Sequence, residues 1–191
     1  PLEFRGFQPL APGEIARVKA ARDTQNETKQ QFMTTMEQFK SVVNFQAGDL
    51  EKRYDKLNAT LQKSESKADE VRKRIRSVES VSDALFTEWK AELKKYNNDT
   101  LRNLSQKKYD LARAKYTDLI ASMKKAEAKL EPALIPLRDQ VLFIKHNLNA
   151  KAIAGLSDEV IGVQTNVDEL SRDIENAVAQ ADAFIAALQA E

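Results

Sequence analysis

The sequence predicts an all-α protein: four long antiparallel helices in a coiled-coil-like bundle, with a two-helix hairpin arm protruding from it. Three observations predict this. Only 5 glycines and 5 prolines occur in 191 residues, so helix breakers are confined to a few places. Between those places apolar residues recur in alternating steps of three and four, which keeps one side of each helix against a neighbour. Charged residues make up 31% of the chain and aromatic residues only 7%, the composition of long solvated helices.

Residues 1–13 hold three of the five prolines and two of the five glycines, and read as a leader or an expression remnant outside the fold. Residues 14–191 are expected to form a single elongated helical domain. Helix 1 runs from Glu14 to about Phe45. Phe32, Met36, Phe39 and Val43 give it an apolar side, but Arg22, Gln25 and Lys29 interrupt that line, so its first half is expected to pack loosely. Gly48 suits the left-handed ending of a helix, and Asp49 suits the cap of the next. Helix 2 starts at Leu50 and keeps its seam through Leu57, Leu61, Ala68, Val71, Ile75, Val78, Leu85 and Trp89, with Ser64 and Ser82 in the gaps. Tyr96-Asn97-Asn98-Asp99-Thr100 then reads as a turn, with Asp99 or Thr100 as the next N-cap.

Helix 3 is expected to reach Ala154. Its seam runs through Ala112, Tyr116, Leu119, Met123, Ala126, Leu130 and Ala133, then restarts at Leu137, Val141, Ile144 and Leu148. The extra step coincides with Pro132 and Pro136, where a bend is expected. Gly155-Leu156 has the form of a Schellman ending, and Ser157-Asp158-Glu159 opens helix 4. That helix keeps a seam from Val160 through Val163, Val167, Leu170, Ile174, Ala177, Ala181, Phe184 and Leu188.

The lengths are unequal. Helices 2 and 3 come to roughly 70 to 80 Å and helices 1 and 4 to about 50 Å. All four therefore meet at one end, and about 81–116 projects as the arm. Phe86, Trp89, Leu93, Leu101 and Leu104 lie on that arm. They either pair with each other across the hairpin or offer a surplus to a partner or a second copy. Basic Arg102, Lys107 and Lys108 accompany them, with Arg113 and Lys115 further along.

The net charge is +1, yet the charges are segregated. Arg102 to Lys129 holds eight basic and three acidic residues, whereas Gly155 to Glu191 holds eight acidic residues opposed only by Arg172. Acidic helix 4 lying along a basic neighbour is one reading, and a basic side of the arm meeting an anionic surface is the other. A cancelled overall charge argues against nucleic acid as a partner.

Absence of cysteine removes disulfides, thiol nucleophiles and Cys/His zinc sites, and His146 is the single histidine. Neither a phosphate-cradling glycine loop nor a nucleophile elbow is present. Carboxylates such as Asp69, Asp173 and Glu127 read as solvated sides of helices, and no cofactor is expected. No apolar run approaches the ~18 to 20 residues needed to cross a bilayer. Val141-Leu142-Phe143-Ile144 is apolar on every side and is expected to be buried, enclosing Gln140, His146, Asn147 and Asn149 as a buried polar cluster.

The segment Asp139-Gln140-Val141-Leu142-Phe143-Ile144-Lys145-His146-Asn147-Leu148-Asn149-Ala150 resembles the signature of a bacterial family of unknown function, number 2959 in its series. Supporting matches are Ala21-Arg22-Asp23-Thr24-Gln25, Gln38-Phe39-Lys40-Ser41-Val42-Val43-Asn44-Phe45 and Ser82-Asp83-Ala84-Leu85-Phe86-Thr87-Glu88-Trp89. The resemblance implies a helical envelope protein of Gram-negative bacteria. It also implies a periplasmic location, with a lipid anchor as a further option in the full-length protein. It brings no activity to any residue.

The function expected from these readings is a non-enzymatic structural or adaptor protein of the cell envelope, acting through helical contacts with a protein partner or a second copy. The alternative is a peripheral module that recognises anionic lipid, and an enzyme of unknown type is a distant third.

Overall fold

The computed structural model describes residues 12–189, and six helices account for 89% of them. They are α1 (Pro12–Val43), α2 (Leu50–Leu93), α3 (Asp99–Glu127), α4 (Leu130–His146), α5 (Ala150–Ala154) and α6 (Glu159–Gln189). The chain is an all-α helical bundle. Its first, second and last columns are α1, α2 and α6, and the third column is divided into α3, α4 and the single turn of α5. Residues 1–11 of the expected leader lie outside the described residues, as does the side chain of Leu188.

The turns follow local chemistry. Gly48 sits at φ +110°, and the Asp49 carboxylate accepts from the Lys52 N–H at 3.1 Å to cap α2. At the other turn Asn98, rather than Asp99 or Thr100, is the cap, accepting from the Leu101 N–H at 3.1 Å. Gly155 has φ −63°, so the expected Schellman ending does not form; α5 closes instead through a right-handed turn at Gly155.

The third column breaks at Ala128-Lys129, one turn ahead of Pro132. Pro132 has no N–H to give the carbonyl of Ala128, and its ring crowds that carbonyl. The chain tightens there, with the Lys129 N–H donating to the Ala126 carbonyl at 3.0 Å. Pro136 is carried inside α4. A second break follows His146. Asn147 leaves helical geometry at φ −137°, ψ 56° and its side-chain amide donates to the Phe143 carbonyl at 2.9 Å. Asn149 caps α5 by accepting from the Ala152 N–H at 2.9 Å.

Pairs between columns run in opposite residue order, so neighbours are antiparallel. Between α1 and α2 these are Glu14 with Ser82 and Thr35 with Ser64, both at 2.8 Å. Arg22–Asp182 at 2.8 Å and Lys29–Glu175 at 3.5 Å join α1 to α6. Arg72–Glu131 at 2.9 Å and Arg138–Glu65 join α2 to α4. Lys125–Asp173 at 4.0 Å and Lys129–Glu169 at 3.4 Å join the third column to α6. Acidic α6 therefore lies between basic sides of α1 and of the third column.

The core follows the seams: Phe32, Met36 and Phe39 of α1, Leu57 and Ile75 of α2, Leu119 and Met123 of α3, Leu134, Leu137 and Ile144 of α4, and Ile153 of α5. The first half of α1 is closely covered rather than loose. Val18, Ala21, Thr24, Gln25 and Thr28 are all buried, because Arg22 and Lys29 turn sideways to α6 and leave the inward positions to smaller or uncharged groups.

Candidate contact surface on the hairpin arm

Toward the tip from Ser82 of α2, which pairs with Glu14 in the first turn of α1, α2 and α3 pack against each other. Their contact is aromatic. Phe86 and Trp89 stack with ring centres 6.3 Å apart, and Tyr109 meets both edge-on at 5.6 and 5.4 Å. Tyr116 leans on Phe86 at 5.6 Å, and the Arg113 guanidinium lies 5.0 Å over the same ring. The Trp89 indole N–H donates to the Ser105 hydroxyl at 3.0 Å. Burial, with Asp83 and Glu79 nearby, pushes the Tyr116 hydroxyl up to about 12.

This packing separates the predicted partner-binding residues. Phe86, Trp89 and Leu93 are buried at 3%, 2% and 6% exposure, so they are the interior of the hairpin and not a docking face. Two helices must cover such rings, since each buries a large apolar area only when both close over it. Leu101 and Leu104 are exposed, as are Lys107 and Lys108, while Arg102 is half-buried and paired with Asp99.

The exposed leucines belong to a larger row. At about 100° per residue, positions 101, 104, 108, 111 and 115 of α3 share one side. Leu101, Leu104 and Leu111 are 46%, 54% and 60% exposed, and Lys108 and Lys115 lie among them. Leu111 was missed in the sequence, although Leu104 and Leu111 repeat at seven residues, one position ahead of the buried Ser105 and Ala112. Asp99 and Asp110 lie on other sides of α3, where Arg102 and Gln106 engage them.

The expected buried polar cluster does not form. His146 and Asn149 are exposed, Gln140 and Asn147 are half-buried, and the two asparagines serve as helix caps. Nor is the apolar run enclosed: Leu142 is 56% and Phe143 41% exposed, with Ile135 at 51% on the same outward side of α4. The column touches α2 on one flank and α6 on the other, which leaves its outer quadrant to solvent. Buried polar groups collect instead on α1. Glu14 is 1% exposed beneath Ser82, and burial pushes its carboxyl up from the usual range. Gln25 is fully buried, and among the described residues neither end of its amide has a partner.

An open groove of about 530 Å³ runs between α1 and α6, lined by Met33, Glu37, Lys40, Asp168, Arg172 and Glu175 among others. Among the described residues no group of three or more His, Asp or Glu is disposed to hold a metal ion. Two of the three carboxylates singled out in the sequence are taken up in ion pairs: Asp69 with Arg72 at 2.9 Å, and Asp173 with Lys125. No described helix is long and apolar enough to cross a membrane.

No curated protein and no solved structure matches the chain. A family profile does, over residues 14–188, which span the whole bundle and the arm. The chain therefore belongs to the family described as "Protein of unknown function (DUF2959)".

Proposed function

We propose that the protein is a non-catalytic structural or adaptor component of the bacterial cell envelope that holds a partner protein through the leucine–lysine side of α3. The observation that supports this most is the exposed row Leu101, Leu104 and Leu111, set among Lys107, Lys108 and Lys115. Apolar side chains in a contiguous exposed row mark interaction surfaces, and flanking charge sets the choice of partner. The envelope placement rests on the family resemblance. A photo-crosslinking residue in place of Leu104 tests the reading in cells. One dominant adduct in the envelope fraction, missing when the crosslinker replaces Lys56, is expected; no adduct, or equal adducts at both positions, overturns it.

A second reading has its own observation. Ile135, Leu142 and Phe143 are exposed on the outward side of α4, with Lys145 nearby on the same helix. Such a surface suits peripheral docking on anionic lipid. Co-sedimentation with phosphatidylglycerol vesicles that is lost in Leu142→Asp/Phe143→Asp supports it; absence of binding at every salt concentration rejects it.

A further inference from the structure

We infer that the leucine–lysine side of α3 takes an acidic amphipathic helix supplied by another protein, laid on the line that α6 follows lower down. The inference rests on the proposed contact role of the arm and adds the chemistry of what is held.

The molecule contains its own template. Where α6 packs against the third column, Ala177, Ala181 and Phe184 are buried, and its acids meet lysines in Lys125–Asp173 and Lys129–Glu169. Ala183, Phe184 and Ala187 come alongside Lys115 and Asp118. One turn nearer the tip is Leu111, then Leu104 and Leu101, on the same side of α3 and open to solvent. The apolar row thus continues toward the tip from the level of Ala187, where Leu111 already stands exposed, to Leu104 and Leu101. Lysine continues too: Lys107, Lys108 and Lys115 are exposed along that row, and no acidic residue shares that side between Leu101 and Lys115. A helix with an Ala/Phe seam and acidic flanks satisfies both features at once. Two-fold pairing of this side with a second copy would instead bring the same lysines together, a repulsive arrangement.

The test uses the full chain and a labelled synthetic peptide copying residues 163–189 of α6, followed by fluorescence anisotropy. Saturable binding is expected, weakening at least about fivefold between roughly 50 and 300 mM salt. The exposed-site variant Leu104→Asp/Leu111→Asp should lower affinity about tenfold or more, as should Lys107→Glu/Lys108→Glu, with helix content unchanged by circular dichroism. Leu142→Asp on α4 should leave it unaltered, and a peptide with its acids replaced by lysine should not bind. Binding that ignores the α3 variants means exchange with α6 itself and overturns the inference, as does absence of binding. Concentration-dependent dimerisation abolished by Leu104→Asp also overturns it, by putting a second copy on the surface. If the peptide fails while Leu104 still crosslinks one envelope protein, only the acidic-helix chemistry is lost and the contact role stands.

Discussion

Glu14 is a buried carboxyl whose ionisation the fold disfavours. It is buried in the first turn of α1, one carboxylate oxygen accepting from Ser82 at 2.8 Å and the other without a partner among the described residues. Burial raises its pKa, with the Ser82 hydrogen bond opposing. A raised carboxyl stabilises the fold below its ordinary value, and that stability is lost as pH rises through the folded pKa. Glu14→Gln should therefore raise the urea midpoint at pH 7 and remove this part of the slope between pH 4.5 and 7; an unchanged difference between the two pH values contradicts the assignment. Trp89 makes the opposite case, a buried side chain engaged by Phe86, Tyr109 and Ser105. Trp89→Ala should cost about 3 to 5 kcal/mol, the range for an aromatic removed from a packed interior. The loss should show first as faster amide exchange over 86–116, with α1 little changed. Only the second role was legible in the sequence: Glu14 read as no more than the start of a helix, whereas pairing of Trp89 across the hairpin was the leading reading beside docking, because a seam position does not reveal whether its partner lies in the same chain.

Among the elements, α1 is the one held by polar contacts. Of the eight buried polar side chains among the described residues, Glu14, Thr24, Gln25, Thr28 and Thr35 belong to it. Thr28 donates to the carbonyl of Thr24 and Thr35 shares a hydrogen bond with Ser64, but the Gln25 amide finds no partner. An unpaired buried amide costs about 1 to 3 kcal/mol. Gln25→Leu should accordingly slow amide exchange across residues 14–28 by about tenfold; faster exchange would show that the amide is paired by something the arrangement of side chains does not reveal. The start of α2 was legible at Gly48 and Asp49, where one left-handed glycine and one capping carboxylate settle the turn. The division of the third column was legible only in part. Pro132 and Pro136 announced a bend, but a proline disturbs the carbonyl four residues before it, so the break falls at Ala128-Lys129. Asn147 and Asn149 were misread because the apolar run before them implied enclosure, whereas its outward side meets solvent.

At the scale of the whole molecule, unequal helix length was the most informative feature of the sequence: α2 has 44 residues and α1 only 32. A longer column must outrun its neighbours, and the hairpin follows from that arithmetic. Which leucines face outward does not, since Leu101 and Leu104 lie on a side of α3 that is left exposed among the described residues. The bundle encloses its core with four columns, the arm with two, so the arm should give way at lower denaturant than the body. The aromatic cluster then acquires a practical meaning. Trp89 is the only tryptophan in the chain, and it sits in the arm. Its emission is a built-in optical gauge of the hairpin alone, while ellipticity near 222 nm sums every helix. Urea curves recorded by the two signals should separate, fluorescence leading; coincident curves would mean that arm and body unfold as one cooperative unit. A ligand seated on α3 would move the first curve more than the second, so a partner can be recognised by a spectrum before it has been identified.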